Sequence, residues 1–484
     1  MSDADYERTW VPISTTIVDL SGVAKASGLS GETAMWAKML VDEYEAHVAH
    51  NSKLRRYYEG NVAVSDYGVT AGIENDQSCF WPSKAVDALA DRITLERFNM
   101  PEGLDEHVTS AAGAVQLRNA MVTSYNRHIA PKLIYGCMGA TVTRNHANDA
   151  VVRFHSAETF TAIPSPDGRD GVVAAGLAIA RREHTQWSHG KLVPTMVNLH
   201  LPGNVVQVRQ VAAGEWVAED GYTREGEPSL YVFSHDSKGT LNPFGRTRIT
   251  RFVRDLTKDA IRCMWHMQIS GTYYSMPKLL MLNLTSEQYD AVTADKLKYQ
   301  LDRVLATEMD EMGEGRTAIQ QLSGNSPQPF VDELMALAKQ FSGATGIPLN
   351  SLGIVQDNPS SAQAIEANRE DICLIARRDI EEDKPVLRRL MQAAISVQAN
   401  TTIAELPDET YRIMPKFTDP MIFSREAMAD WATKVNSIRP GFGGTDVAAR
   451  MMGIDDADLE SVKSDETKAA AAAMAAQLFG GSNG

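Results

Sequence analysis

The chain has 484 residues, with 47 Lys and Arg against 62 Asp and Glu, so its net charge is −15 with neutral histidines. Apolar residues make up 43% and charged residues 23%, which excludes a disordered chain; at about 150 residues per domain, the length predicts two to four domains with their own cores. The acidic balance excludes a protein that coats duplex DNA by neutralising phosphates, but not one that surrounds DNA without gripping it.

Residues 1–30 are mixed and Ser/Thr-rich, and loose order is expected at the start. Met35, Trp36, Met39, Leu40, Tyr44 and Val48 recur at helical spacing and predict a helix over 32–58, closed by Glu59-Gly60. Trp81-Pro82-Ser83 predicts a second helix with Ser83 as N-cap, and a third is expected over 110–128. From Leu133 the period changes. Short alternating runs at 141–143, 151–154, 171–180, 196–201 and 205–211, separated by turn residues, predict an antiparallel β region ending near Asp236.

Helix returns after Asn242-Pro243-Phe244-Gly245. A proline-free pattern over 246–275 predicts a rod of roughly 45 Å, long enough to project. Residues 278–328 mix a short apolar run at 279–284, a helix expected over 286–309 and a Gly-rich acidic turn. A helix over 330–341 leads into Gly346-Ile347-Pro348 and a loop to Pro359. A long helical pattern over 360–399 contains Pro385, which predicts a kink. The tail is expected to be helical over 424–437, 445–452 and 456–478, with a disordered end at 480–484.

Cys79, Cys137, Cys263 and Cys373 form no Cys-x-x-Cys pair, so neither a zinc ribbon nor a disulfide framework is indicated; four buried thiols in a reducing compartment are expected. The start Met-Ser-Asp-Ala-Asp lacks the basic residues of a signal peptide, and no apolar run reaches ~18 residues. Synthesis and retention in a cytoplasm are expected, with no membrane partner.

No P-loop, His-Glu-x-x-His, Gly-x-Ser-x-Gly or Ca²⁺-loop motif occurs, so no catalytic, cofactor or metal site is assigned. His47 and His50, near Glu43 and Glu45, read as a solvated helix face more readily than as a metal site. Cys263 and His266 read as helix packing. Arg251, Arg254, Lys258 and Arg262 form one stripe on the predicted rod, with Asp255 and Asp259 within pairing reach. Two readings stay open for it: a salt-bridged solvated face, or pairing to a neighbouring copy or a phosphate. Glu308, Asp310, Glu311 and Glu314 cluster before Gly315, either as an exposed turn or as a docking surface or repelling rim. The loop carrying Ile354, Val355, Gln356, Asp357 and Asn358 is longer and more apolar than a helix connector needs, which hints at a contact.

Several segments resemble bacteriophage portal proteins of the siphophage type found with actinobacterial hosts. They are Leu54-Arg55-Arg56-Tyr57-Tyr58-Glu59-Gly60, Val86-Asp87-Ala88-Leu89-Ala90-Asp91-Arg92, Asn242-Pro243-Phe244-Gly245-Arg246-Thr247-Arg248-Ile249, and Gly346-Ile347-Pro348-Leu349-Asn350-Ser351-Leu352-Gly353 with Asp357-Asn358-Pro359-Ser360-Ser361-Ala362. None is distinctive alone; their order and spacing from about residue 35 to 400 carry the likeness.

The resemblance implies an α+β, mainly helical fold with wing, stem, clip and crown, assembled as a ring. It maps residues 1–245 to the wing, 246–277 to the first stem helix, 278–328 to the clip and 329–345 to the second stem helix. Residues 346–360 would be the tunnel loop, 361–415 the long kinked helix and wing return, and 416–484 a helical crown with a disordered C-terminus. The implied function is a homododecameric conduit at one capsid vertex for packaging and ejecting double-stranded DNA. The implied partners are the large terminase subunit, the major capsid and scaffolding proteins, and a head–tail adaptor. Assembly would occur in the host cytoplasm, and the final location would be the virion. Such a protein is no enzyme and needs no cofactor, which fits the missing P-loop, since a separate terminase supplies the ATP-driven force. From the residues alone, the rival is a cytoplasmic enzyme with a β-rich substrate domain and a helical cap.

Overall fold

The computed structural model describes residues 19–65, 75–101, 103–145, 147–166, 171–186, 188, 191–223, 226–239, 242–274, 278–294, 304–308, 318–322, 326–354, 370–421, 425–454, 458–465 and 467–468. Contacts divide the chain into two units, Met1–Pro420 and Met421–Gly484.

The first unit opens with α1 (Gly31–Tyr58), which ends at Gly60 with φ +77°. Next come α2 (Trp81–Ala90) and β1 (Leu95–Asn99). Ser83 lies inside the first turn of α2 and donates to Phe80 O at 2.9 Å, so it is not the N-cap. The expected third helix is two, α3 (Glu106–Arg118) and α4 (Met121–Tyr135). The break falls at Asn119-Ala120. The Asn119 side chain donates to Val115 O and Ala150 O and accepts from Val152 N, tying the helix end to a strand, and Ala120 takes φ +43°.

Eight strands follow: β2 (Cys137–Arg144), β3 (Ala150–Ser156), β4 (Phe160–Pro164), β5 (Val173–His184), β6 (Leu192–Leu201), β7 (Asn204–Ala212), β8 (Glu215–Thr223) and β9 (Leu230–Ser234). β4 to β8 form a five-stranded antiparallel meander, and β3-β2-β9 form a second antiparallel sheet. Period-two apolar positions turn one face inward: Ala175, Leu177 and Ile179 on β5, Val197, Leu199 and Leu201 on β6, and Val206 and Val208 on β7. They bury against Ala37, Leu40, Val41 and Tyr44 of α1. α4 packs on β2 and β3, where Tyr125 stands edge-on to Phe154, Phe233 and Phe417 at 5.8–6.0 Å between centroids.

α5 (Arg251–Tyr274) begins five residues later than expected, so the rod is nearer 36 Å. β10 (Lys278–Leu284), α6 (Ser286–Ala294), β11 (Val304–Glu308) and β12 (Ala318–Leu322) follow. β10 pairs parallel to β11 and antiparallel to β12. The helix expected over 286–309 therefore stops at Ala294, and the β-branched and apolar start of 304–308 pairs as a strand. α7 (Gln328–Thr345) ends on Gly346 at φ +69°. α8 (Glu370–Gln398) runs through Pro385, and β13 (Met414–Phe417) pairs with β1, which keeps residues 414–417 in the first unit. The four cysteines are free thiols; Cys79, Cys263 and Cys373 are buried and Cys137 is half-buried.

The second unit holds α9 (Arg425–Ile438) and α10 (Asp446–Met451). Thr445 caps α10 by accepting from Ala448 N at 3.3 Å, and Lys463 reaches Asp446 at 2.6 Å from the helical stretch 458–465. Among the described residues no helix is long and apolar enough to cross a membrane.

A pH dependence follows from the β2–β3 pairing. His155 is buried, and Thr141 Oγ1 lies 2.9 Å from its Nε2. Burial, aided by the positive charges of His128 and Arg153, pushes the imidazole down to about 3. Below the ordinary histidine value the unfolded chain takes a proton that the folded chain refuses. Stability should therefore fall by about 1.4 kcal/mol per pH unit from roughly 6.5 toward 3. Urea unfolding at several pH values checks this; His155→Gln should flatten that slope, and an unchanged slope would assign it elsewhere.

Candidate functional site: an ionic hub and the basic face of α5

The Asn242-Pro243-Phe244-Gly245 turn delivers the chain into α5 under tight backbone constraint. Gly245 has φ +77°, and a Cβ there would sit 2.3 Å from His235 O and 2.6 Å from Gly136 O. Arg246 N donates to His235 O at 2.7 Å, Arg248 N to Leu133 O at 2.8 Å, and Thr247 Oγ1 to Ile134 O at 2.6 Å. These donors bond carbonyls of α4 and the end of β9, which is why 246–250 is not helical.

Arg248 then reaches two other elements. Its guanidinium donates to Thr345 O at the end of α7 and to Ala85 O of α2 at 3.3 Å. Burial lowers its pKa, partly offset by Asp379 and Asp236. Behind it lie two carboxylates on one face of α8, Asp379 and Asp383, spaced i, i+4. His235 Nδ1 sits 2.7 and 2.9 Å from the two Asp379 oxygens. Lys132 Nζ sits 2.7 and 2.8 Å from those of Asp383, and both side chains are 0% exposed. The Tyr125 hydroxyl also donates to Asp383. Burial alone would raise the Asp379 pKa, but Lys132, His235 and Arg248 outweigh it and hold the group ionised below its ordinary value. Burial likewise opposes the Lys132 charge, and the Asp383 and Asp379 carboxylates reverse that and raise its pKa. The hub joins α2, α4, β9, α7 and α8 to the entry of α5.

On α5 the four basic residues of the stripe are largely engaged within the helix and its entry. Arg251 lies 3.6 Å from Asp255, Lys258 lies 3.8 Å from the same carboxylate, and Arg262 pairs with Asp259. Arg254 donates to Ile249 O at 2.9 Å. A cleft of about 360 Å³ separates this face from Ala63, Val64 and Ser65. A second cleft, about 410 Å³, lies between α1 and the entry to α5; Glu43, His47, His50, Phe160, Phe244, Arg246, Arg251 and Arg254 contribute to its wall. His47 and Glu43 pair with each other at 2.7 Å. Among the described residues no group of three or more His, Cys, Asp or Glu is placed to hold a metal ion. Cys263 is buried and donates to Phe330 O of α7 at 3.2 Å, consistent with a packing role.

Of the loop residues singled out by sequence, Ile354 is half-buried and its N–H donates to Leu349 O at 3.3 Å. Val355, Gln356, Asp357 and Asn358 lie outside the described residues, as do Asp310, Glu311 and Glu314; Glu308 ends β11. The structure thus places Arg251, Arg254, Lys258 and Arg262 along α5. The hub residues Tyr125, Lys132, His235, Asp379 and Asp383 escaped sequence reasoning. One signal was available: Lys132 stands among Ile129, Leu133 and Ile134 on an otherwise apolar helix face, where an unpaired charge is untenable.

No family model matches the chain. Over 272 residues it is 29% identical to the portal protein of Mycobacterium phage D29, covering 54% of this chain and 53% of that protein. Over 202 residues it is 29% identical to the portal protein of Mycobacterium phage L5, covering 40% of this chain and 38% of that protein. The chain thus spans about half the length of the first of these relatives, and less of the second. Among solved structures, the neck of a native GTA particle computed with C12 symmetry aligns over 78% of this chain and 90% of its own, at 11% identity and a TM-score of 0.39. The virion of the native gene transfer agent particle aligns over 84% of this chain and 93% of its own, at 11% identity and a TM-score of 0.42. The two phage relatives bear out the resemblance carried by the ordered segments from Leu54 to Ala362: this chain is similar to bacteriophage portal proteins.

Proposed function

We propose that the chain is a portal protein whose copies close a ring, twelve by the implied family pattern, at one capsid vertex, with double-stranded DNA passing through the axis. The observation that carries this is the 29% identity over 272 residues to a phage portal protein. The helix pair adds support. Arg248, just before α5, meets Thr345 at the end of α7, and Cys263, 15 residues later, meets Phe330, 15 residues earlier, so the two helices run antiparallel. The β10–β12 sheet lies between them in sequence, the order expected of stem, clip and stem. In this reading 1–245 form the wing, 346–360 the tunnel loop, and 416–484 the crown. Terminase and later a head–tail adaptor dock on the clip, and capsid and scaffolding proteins surround the ring. The protein performs no catalysis itself, assembles in the host cytoplasm and ends in the virion.

A ring of twelve would carry a charge of about −180. Like charge on wall and duplex disfavours adhesion, and screening over about 8–10 Å softens the repulsion, so DNA slides. Electron microscopy of the purified full chain tests the proposal. Rings with a central hole are expected, and in their reconstruction residues 346–360 should border the axis. Compact particles of roughly 50–100 kDa, the size of a monomer or dimer of a chain this long, would remove the portal reading. Rings with 346–360 far from the axis would remove the tunnel-loop assignment alone.

A further inference from the structure

The cleft between α1 and the entry to α5 is one-sided in charge. Arg246, Arg251 and Arg254 line it with His47 and His50, and Glu43 is the one carboxylate among its described lining residues. Glu43 is already engaged by His47 at 2.7 Å. Arg251 has Asp255 at 3.6 Å and Arg246 has Asp236 at 3.9 Å. Both are long contacts made by exposed guanidinium groups, the Asp236 carboxylate being half-buried, and such pairs stabilise little and leave the guanidinium available. The His50 imidazole registers the positive surroundings: burial first, then Arg254, Lys53 and His47, hold its pKa below the ordinary value. The floor is different in kind: half-buried Phe244 lies there, with Phe160 and Ala162 almost fully buried beside it. A phosphodiester backbone would match the rim and leave that floor uncovered. An acidic peptide carrying an aromatic side chain matches both.

The chain supplies such a peptide. Its first ten residues read Met-Ser-Asp-Ala-Asp-Tyr-Glu-Arg-Thr-Trp, so Asp3, Asp5 and Glu7 surround Tyr6, with Trp10 close behind. This segment lies outside the described residues and leads to Leu20, which is buried against Leu40, Val41 and Tyr44 of α1. Tyr44 adjoins Glu43, and His47 and His50 follow within two helical turns, on the order of 10 Å. Eighteen residues span up to about 60 Å when extended, so the cleft is well within reach. The geometry points to residues 3–10 as the occupant of this cleft: the three acids meet the arginines, and an aromatic ring covers the half-buried Phe244. This is independent of the portal reading.

Chymotrypsin cleavage after Trp10 of the full chain, followed by mass spectrometry, tests the assignment. Cleavage tracks the population in which the segment is released. The combined substitution Arg246→Glu and Arg254→Glu should speed it by about ten-fold or more. The triple substitution Asp3→Lys, Asp5→Lys and Glu7→Lys should do the same without altering the folded core, so a folding defect in the first variant cannot account for both. Uniting the two sets restores opposite charges and should slow cleavage again. Lys38→Glu, on α1 but outside the cleft lining, should leave the rate unchanged. Free peptides of residues 1–18 correct for the intrinsic effect of each sequence. Cleavage at the free-peptide rate in every chain, or no slowing in the united variant, would overturn the proposal.

Discussion

Lys132→Met should destabilise the chain by about 3–5 kcal/mol, because it leaves the Asp383 carboxylate buried without its ammonium. The pair is fully buried, at 2.7 and 2.8 Å, so no water is at hand to replace the lost partner. Asp383→Asn should lower stability in the same way by stranding Lys132. The double variant Lys132→Met with Asp383→Asn should be less destabilised than either single one, since no net charge then remains buried there, and the new amide can still accept from the Tyr125 hydroxyl. Urea-unfolding midpoints of the four chains check this. Equal, additive losses would mean that the two groups do not act as a pair. The work of the hub is to fix α8 against α4 and β9, and Arg248 extends that fixation to the end of α7.

Gly245→Ala should be the most damaging single-methyl change in the α5 entry. The left-handed backbone alone costs a non-glycine residue about 1–3 kcal/mol. The added Cβ would also stand 2.3 Å from His235 O and 2.6 Å from Gly136 O, both backbone atoms held by other bonds. A drop in melting temperature and in soluble yield is expected. Gly343→Ala on α7 is the control: nothing lies within 4 Å of its Cβ position, and replacing a helical glycine should stabilise by about 0.5–1 kcal/mol. If both variants melted together, the turn geometry would not be what demands Gly245.

These two sites show where sequence reading succeeds and where it stops. The apolar spacing of Leu40 and Tyr44 placed α1 to within a residue of Gly31–Tyr58, because a 3.6-residue period is a local property. The alternating runs placed β5, β6 and β7 for the same reason. β4, β8 and β9 were missed. β9 is a continuous buried run, Leu-Tyr-Val-Phe-Ser, with no alternation to read. The 110–128 pattern was periodic enough to suggest one helix, yet Asn119 breaks it by bonding to Ala150 and Val152, partners invisible in its own neighbourhood. The start of α5 moved for a similar reason, since Arg246 and Arg248 donate to carbonyls of β9 and α4.

By itself the sequence determined the acidic balance, the change from helical to alternating period near Leu133 and back to helical period after Gly245, and the ordered motifs that mark the likeness to portal proteins. Each of these is encoded in composition or in neighbours along the chain. Only the tertiary structure decided that Lys132 and Asp383, 251 residues apart, share a dry contact. It alone showed that the motif residue Arg248 reaches Thr345, and that Arg246 and Arg254 face His47 and His50 across one cleft. A charge reveals its partner only once the chain has folded, because Coulomb and hydrogen-bond energies depend on separation in space, while a hydrophobic period can be read along the chain.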